Sequence, residues 1–199
     1  RKESFGKESQ TAAGERPVWK RSFGLSDLLA AALGGLLLAR GFNGLIGLTP
    51  LPQLFPAYES VTEAMYGGSL LSQTLASVVT APLLEEILTR GLIYGRLRPY
   101  FTDPRPAVLL GALIFALFHG NVVQGIYAFF LGLYFVWIYE SYHSLLPPIL
   151  AHAAANASSI LLEQTDWLDP LYADLPAYFL TTAVCLAAGA ACWSRARKR

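Results

Sequence analysis

Three charged residues stand inside an apolar stretch of this chain. Glu85, Glu86 and Arg90 follow Ser69 to Ala81, which holds no charged residue, and precede the uncharged Gly91 to Gly95. A charge at membrane depth costs a few kcal/mol or more, so it is paired or put to use. Helical spacing divides the roles. Glu86 and Arg90 are four residues apart, share a face and can pair. Glu85 points about 100° away from Glu86 and lies five residues from Arg90. One carboxylate is neutralised in place and the other is left for chemistry. A buried structural ion pair with a spare glutamate is the plainer alternative, and it stays open on this stretch alone.

Composition supports a membrane protein. Of 199 residues, 54% are hydrophobic and 15% charged. Mean hydropathy is +0.41, and the apolar residues lie in long blocks. The length suits one domain. A net charge of +1 gives no global field for a nucleic-acid partner. Cys185 and Cys192 fall in one apolar segment seven residues apart, about 10 Å of helical rise. They cannot bridge within a straight helix and read as packing residues.

The sequence predicts an all-α, polytopic transmembrane bundle of about six helical segments. Residues 1–22 form a polar, basic tail. The first apolar segment runs from Phe23 to Ala39, is rich in small residues such as Gly34 and Gly35, and stops at Arg40. Thr49 to Tyr66 reads as a loop with Pro50, Pro52 and Pro56. The second helix runs from Gly68 to Arg98. Pro82 within it is expected to kink it or free a carbonyl near Val78. Ala107 to Phe118 is a third helix, short for a bilayer. Val122 to Tyr139, Leu145 to Leu162 and Leu175 to Trp193 complete the set. The membrane domain spans 23–194, followed by a basic C-terminus at 195–199.

Charge suggests an orientation. With both termini cytoplasmic, segments 1–22, 90–105, 140–144 and 194–199 hold 14 of the 15 lysines and arginines. The opposite segments, 49–66 and 163–174, hold none. The positive-inside rule favours this arrangement, and Arg40 is its exception.

Depth gathers the remaining polar residues. Glu85 is 13 residues above Arg98, and His119 is 13 above Pro106, each about 20 Å of rise. Counted from Leu145, His152 is about 10 Å up and Asn156 about 16 Å. Three helices thus bring ionisable or amide groups to similar depth. Each has a simpler reading: His119 as a helix-end cap, and His152 with Asn156, four residues apart, as interhelical hydrogen bonding. His143 lies in a polar turn and reads as surface. Packing alone explains the three-helix coincidence poorly.

Glu85-Glu86-x-x-x-Arg90, Phe115-x-x-x-His119, Phe129-x-x-Gly132 and His152-x-x-x-Asn156 together resemble the motifs of a known family. It is the CAAX prenyl endopeptidase and bacteriocin-processing family, the Ras-converting or Abi-type intramembrane endopeptidases. The resemblance covers about residues 70 to 160, with the motifs in order. It implies hydrolysis of a peptide bond in a membrane-associated or prenylated protein, or in a leader peptide. It also implies that Glu85 and His119 hold and activate the attacking water and that His152 and Asn156 stabilise the oxyanion. Glu86 and Arg90 would fix the field around Glu85. The expected partners are a peptide or protein substrate and the lipid bilayer. The expected location is the plasma membrane of a prokaryote. No cofactor is predicted, although Glu85, His119 and His152 also read as a possible zinc set. No H-E-x-x-H places two histidines on one helix, and Asn156 is a poor zinc ligand but a good oxyanion donor. Two other classes remain: a non-catalytic scaffold on the same fold, and a proton-coupled transporter, for which the expected internal repeat is absent.

Overall fold

The computed structural model describes residues 23–164 and 166–197. The predicted N-terminal tail, Thr165 and the last two basic residues lie outside them. Among the described residues eight helices follow in order: α1 (Leu25–Gly47), α2 (Leu51–Leu54), α3 (Ala57–Tyr66), the composite α4 (70–100), α5 (Pro104–Leu117), α6 (Val122–Tyr142), α7 (Leu146–Gln164) and α8 (Leu175–Arg197), with a short 3-10 stretch at Asp166–Leu171 between the last two. Among the described residues there is no strand. Six of the eight are the predicted segments, so the fold is the expected all-α bundle.

Local sequence sets the boundaries. Ser69, Asp103 and Asn121 each accept a backbone N–H from the first turn of α4, α5 and α6, satisfying donors that a helix start leaves bare. The α6 helix ends at His143, which is exposed and adopts a left-handed conformation with φ 49°. This agrees with the surface reading of His143.

Two boundaries differ from expectation. The α1 helix does not stop at Arg40 but continues to Gly47, because Gly41 and Gly44 pack against α8. A Cβ on Gly41 would lie 2.5 Å from Leu186, and one on Gly44 2.3 Å from Thr182. The close approach holds the helix through an arginine that sequence takes as its end. The 49–66 segment is not a loop. Pro50, Pro52 and Pro56 occupy helix starts, where a missing N–H costs nothing.

The α4 helix is unbroken but irregular. α-Helical turns at Leu70–Gln73, Ala81–Glu86 and Gly95–Leu97 alternate with π-helical stretches at Thr74–Thr80 and Ile87–Tyr94. Pro82 does not free the Val78 carbonyl, as α-helical register predicts. The first π stretch shifts the register to five, so that Ala81 N–H bonds Ala76 O. The bond that Pro82 cannot supply is therefore the one to Ser77 O.

The small residues of α1 let it lie against α7: a Cβ on Gly35 would fall 2.1 Å from the Ala151 carbonyl oxygen. Between α5, α6 and α7 the core is Phe115, Leu131, Phe135, Ile138, Ala151 and Ala155. Arg98 bonds Glu140 at 2.7 Å, tying the end of α4 to the end of α6. Arg195 lies 3.9 Å from Asp27, tying the end of α8 to the start of α1. Arg90, which the charge count assigned to a cytoplasmic segment, is instead fully buried in the bundle.

Helices α1 and α6, and Leu175–Ala196 within α8, are long and apolar enough to cross a membrane. The shorter α5 is also apolar. Leu29, Leu33, Leu113, Phe130, Leu180 and Val184 are exposed on these helices. A lipid-facing surface needs such residues, and water would disfavour them. The chain is an integral membrane protein.

Candidate active site

The short α-helical turn that carries Glu85 and Glu86 sits between the two π stretches of α4, and the two glutamates face different surroundings. Glu86 is fully buried. Its Oε1 accepts from Arg90 Nη1 at 3.0 Å and from His152 Nδ1 at 2.9 Å. Arg90 is equally enclosed. It also donates to Thr89 Oγ1 at 2.7 Å and to the Gly132 carbonyl at 3.3 Å. Its guanidinium lies over the Phe115 ring, 4.2 Å from the centroid. The predicted pair is present, and its other contacts tie α4 to α5, α6 and α7.

Glu85 is 39% exposed, and the space it faces is a cavity of about 440 Å³. His119, His152 and Asn156 line the same cavity, with Phe115, Phe135 and Ser77. The four residues singled out by depth are thus brought together. His119 Nδ1 lies 3.0 Å from the Phe115 carbonyl. A carbonyl only accepts, so Nδ1 carries a proton and the other ring nitrogen, Nε2, is left unspent.

His152 is held on every side. Phe135 stacks on its ring at 4.9 Å and Phe115 meets it edge-on at 5.7 Å. Nδ1 faces Glu86, and Nε2 lies 3.9 Å from Glu85 Oε2. Sequence reasoning assigned Glu86 to Arg90 alone and missed this second bond. A motif marks which residues are special but not which one of another motif each meets.

Asn156 donates from Nδ2 to the Ser77 carbonyl at 2.7 Å. That oxygen is the one orphaned by Pro82, so Asn156 replaces the missing backbone donor. An amide carries two N–H bonds, and the second remains for the cavity. Gly132 brings α6 against α5, where its Cβ would meet Phe115 at 3.0 Å. Phe129 is not part of the site; it lines a separate apolar groove with Leu113, Ala116 and Phe130.

Sequence reasoning also missed other residues that line the cavity: Arg40, Asn43 and Ser159, with Tyr58 and Thr62 of α3. The signal was present: Arg40 is the one cation outside the charge distribution. Among the described residues no group of three or more His, Cys, Asp or Glu side chains is arranged to hold a metal ion. Cys185 and Cys192 are free, on α8, and neither lines the cavity.

The molecule is therefore a helical membrane protein with a partly open cavity between its helices, lined by both polar and apolar side chains. Residues 67–158 match the family model described as type II CAAX prenyl endopeptidase, Rce1-like. This segment, somewhat under half of the chain, contains all four motifs, and through it the chain is similar to that family. The family is one of membrane proteases, whose substrates are peptides or proteins. No curated protein and no solved structure matches the chain.

Proposed function

We propose that the protein is a glutamate-dependent intramembrane endopeptidase with Glu85 as its general base. The observation that carries this reading is the division of the glutamates: Glu86 is fully buried and bonded through Oε1 to Arg90 and His152, while Glu85 opens to the cavity. Glu85 takes a proton from a water that His119 Nε2 also holds, and the water oxygen attacks the scissile carbonyl. The second N–H of Asn156 is aimed at the developing alkoxide, where a preorganised donor contributes roughly 3 kcal/mol. His152 joins it as a donor from Nε2 when its ring carries both protons, since Nδ1 is bonded to Glu86. Collapse of the tetrahedral species breaks the C–N bond, and Glu85 returns its proton to the leaving amine. The substrate is a membrane-associated peptide, with a prenylated CAAX-type protein as the class that the family name suggests.

The mechanism needs no metal. Bonding of His152 Nδ1 to Glu86, with Asn156 beside it, supports a donor role over a ligand role. The Lys/Arg distribution supports cytoplasmic termini. The test is cleavage of an S-farnesylated CAAX-type peptide by purified protein, with bound metal measured and activity assayed before and after strong chelation. Cleavage that survives chelation is expected. Stoichiometric zinc whose removal abolishes cleavage, and whose return restores it, makes His152 a ligand and rejects the metal-free mechanism.

A further inference from the structure

The cavity is closed towards one end of the bundle and reaches the other. Three contacts identify the closed end. Phe23 meets Tyr142 with ring centroids 5.9 Å apart, Arg98 bonds Glu140 at 2.7 Å, and Arg195 lies 3.9 Å from Asp27. The start of α1 and the ends of α4, α6 and α8 therefore lie together there. Packed side chains separate that end from the cavity. Arg90, fully buried, lies against Phe115 and Phe135, which line the cavity. Tyr94 and Ile138, also fully buried, follow on α4 and α6 in the direction of the closed end. Among the described residues none of 23–39, 86–114 or 136–151 lines the cavity.

The lining continues to the opposite end, where it includes Gly47 at the end of α1 and Tyr58, Val61 and Thr62 of α3. His119 lies two residues past the end of α5, in the turn to α6. Tyr178, near the start of α8, packs on Gly47, so the start of α8 belongs to this end as well. Charge separates the same two ends. Arg96, Arg105 and Arg195 are exposed at the closed end. The exposed charges at the open end are Glu59, Glu63, Asp169 and Asp174, with no lysine or arginine beside them among the described residues. In the whole sequence, every lysine and arginine except Arg40 and Arg90 falls in 1–22, which lead into the start of α1, in 96–105 or in 195–199.

We infer that the cavity opens on the side of the membrane opposite the cytoplasm, and that the bond it receives belongs to the exported part of a membrane-anchored protein. The excess of lysine and arginine at the closed end directs that end to the cytoplasm. A prenylated tail held in the cytoplasmic leaflet then meets the packed layer of Arg90, Tyr94 and Ile138, not the mouth at α3. The substrate class rests on the peptidase reading of this cavity; the direction of the mouth rests on packing and charge alone. A farnesylated peptide remains a usable probe of the chemistry in detergent, where both ends are accessible.

The test uses the full chain in a bacterial inner membrane, with Cys185→Ser and Cys192→Ser. Single cysteines are introduced by Ser60→Cys, on exposed α3 at the mouth, and by Thr102→Cys, in the exposed turn between α4 and α5. A membrane-impermeant maleimide is applied to spheroplasts and to inverted vesicles. Ser60→Cys is expected to label in spheroplasts and Thr102→Cys not, with the two exchanged in inverted vesicles. Labelling of Thr102→Cys in spheroplasts, alone or together with Ser60→Cys, overturns the inference. A second measurement follows cleavage of an S-farnesylated CAAX-type peptide added from outside, with Glu85→Gln as the blank. Spheroplasts carrying the wild-type chain are expected to cleave it, and inverted vesicles only after detergent is added. Cleavage by intact inverted vesicles overturns the inference and leaves the peptidase reading standing. The expected labelling with no cleavage, even in detergent, rejects the peptidase reading and leaves the direction of the mouth standing.

Discussion

Arg40 and Arg90 both lie well inside helices of this bundle, and their surroundings differ. Arg90 on α4 is enclosed by a carboxylate, a hydroxyl, a backbone carbonyl and two aromatic rings. Arg40 on α1 has one serine and an open cavity. Both carry a desolvation cost, but only Arg90 recovers it within the protein. The difference teaches which charges hold the fold and which are left for a ligand. The same contrast separates Glu86 from Glu85. Arg90 directs both of its terminal nitrogens at partners within the protein, although its Nε, like that of Arg40, is buried without an acceptor; Arg40 and Glu85 line the cavity.

The largest effect is expected where that contrast is broken on the closed side. Glu86→Gln leaves Arg90 buried without its counter-charge, at a cost of roughly 3 kcal/mol or more. It should show as a large fall in melting temperature and yield. The double variant Glu86→Gln with Arg90→Met should recover part of the loss. Equal melting of Glu86→Gln and wild type removes the structural role of the pair.

A smaller effect is expected between α4 and α7. Asn156→Ala leaves the Ser77 carbonyl without a donor, at about 1–2 kcal/mol. Restoring a backbone N–H with Pro82→Ala should reduce that stability cost without restoring activity. Thermal melts of the four corners of this cycle measure the coupling, and purely additive shifts contradict the replacement. The smallest effect belongs to the open side. Arg40→Gln should change the melting temperature little, equivalent to less than about 1 kcal/mol, because it gives up one bond to a neutral group. A loss as large as that of Glu86→Gln makes Arg40 structural and erases the comparison.

Much of this was legible in the sequence, for identifiable reasons. Apolar blocks and charged breaks predicted the six main helices. The four-residue spacing of Glu86 and Arg90 predicted their pair. Counting depth along three helices brought Glu85, His119, His152 and Asn156 to one cavity. Two kinds of fact stayed hidden. The π register of α4 moves the carbonyl orphaned by Pro82 from Val78 to Ser77, and no periodicity argument distinguishes the two. The path of α1 past Arg40 depends on glycines meeting Leu186 and Thr182, a tertiary contact that local propensity does not contain. The bond from His152 to Glu86 is hidden for the same reason, since it joins residues 66 apart.

The central claim is that Glu85 does chemistry while Glu86 holds the fold. It is tested most directly by one paired measurement on Glu85→Gln: cleavage of the S-farnesylated peptide, and the melting temperature of the same preparation. Glutamine keeps the shape of the side chain and removes only the base. The account predicts a fall in cleavage of at least about 100-fold with a melting temperature close to that of wild type. Cleavage retained at the wild-type rate, or lost only together with the fold, contradicts it.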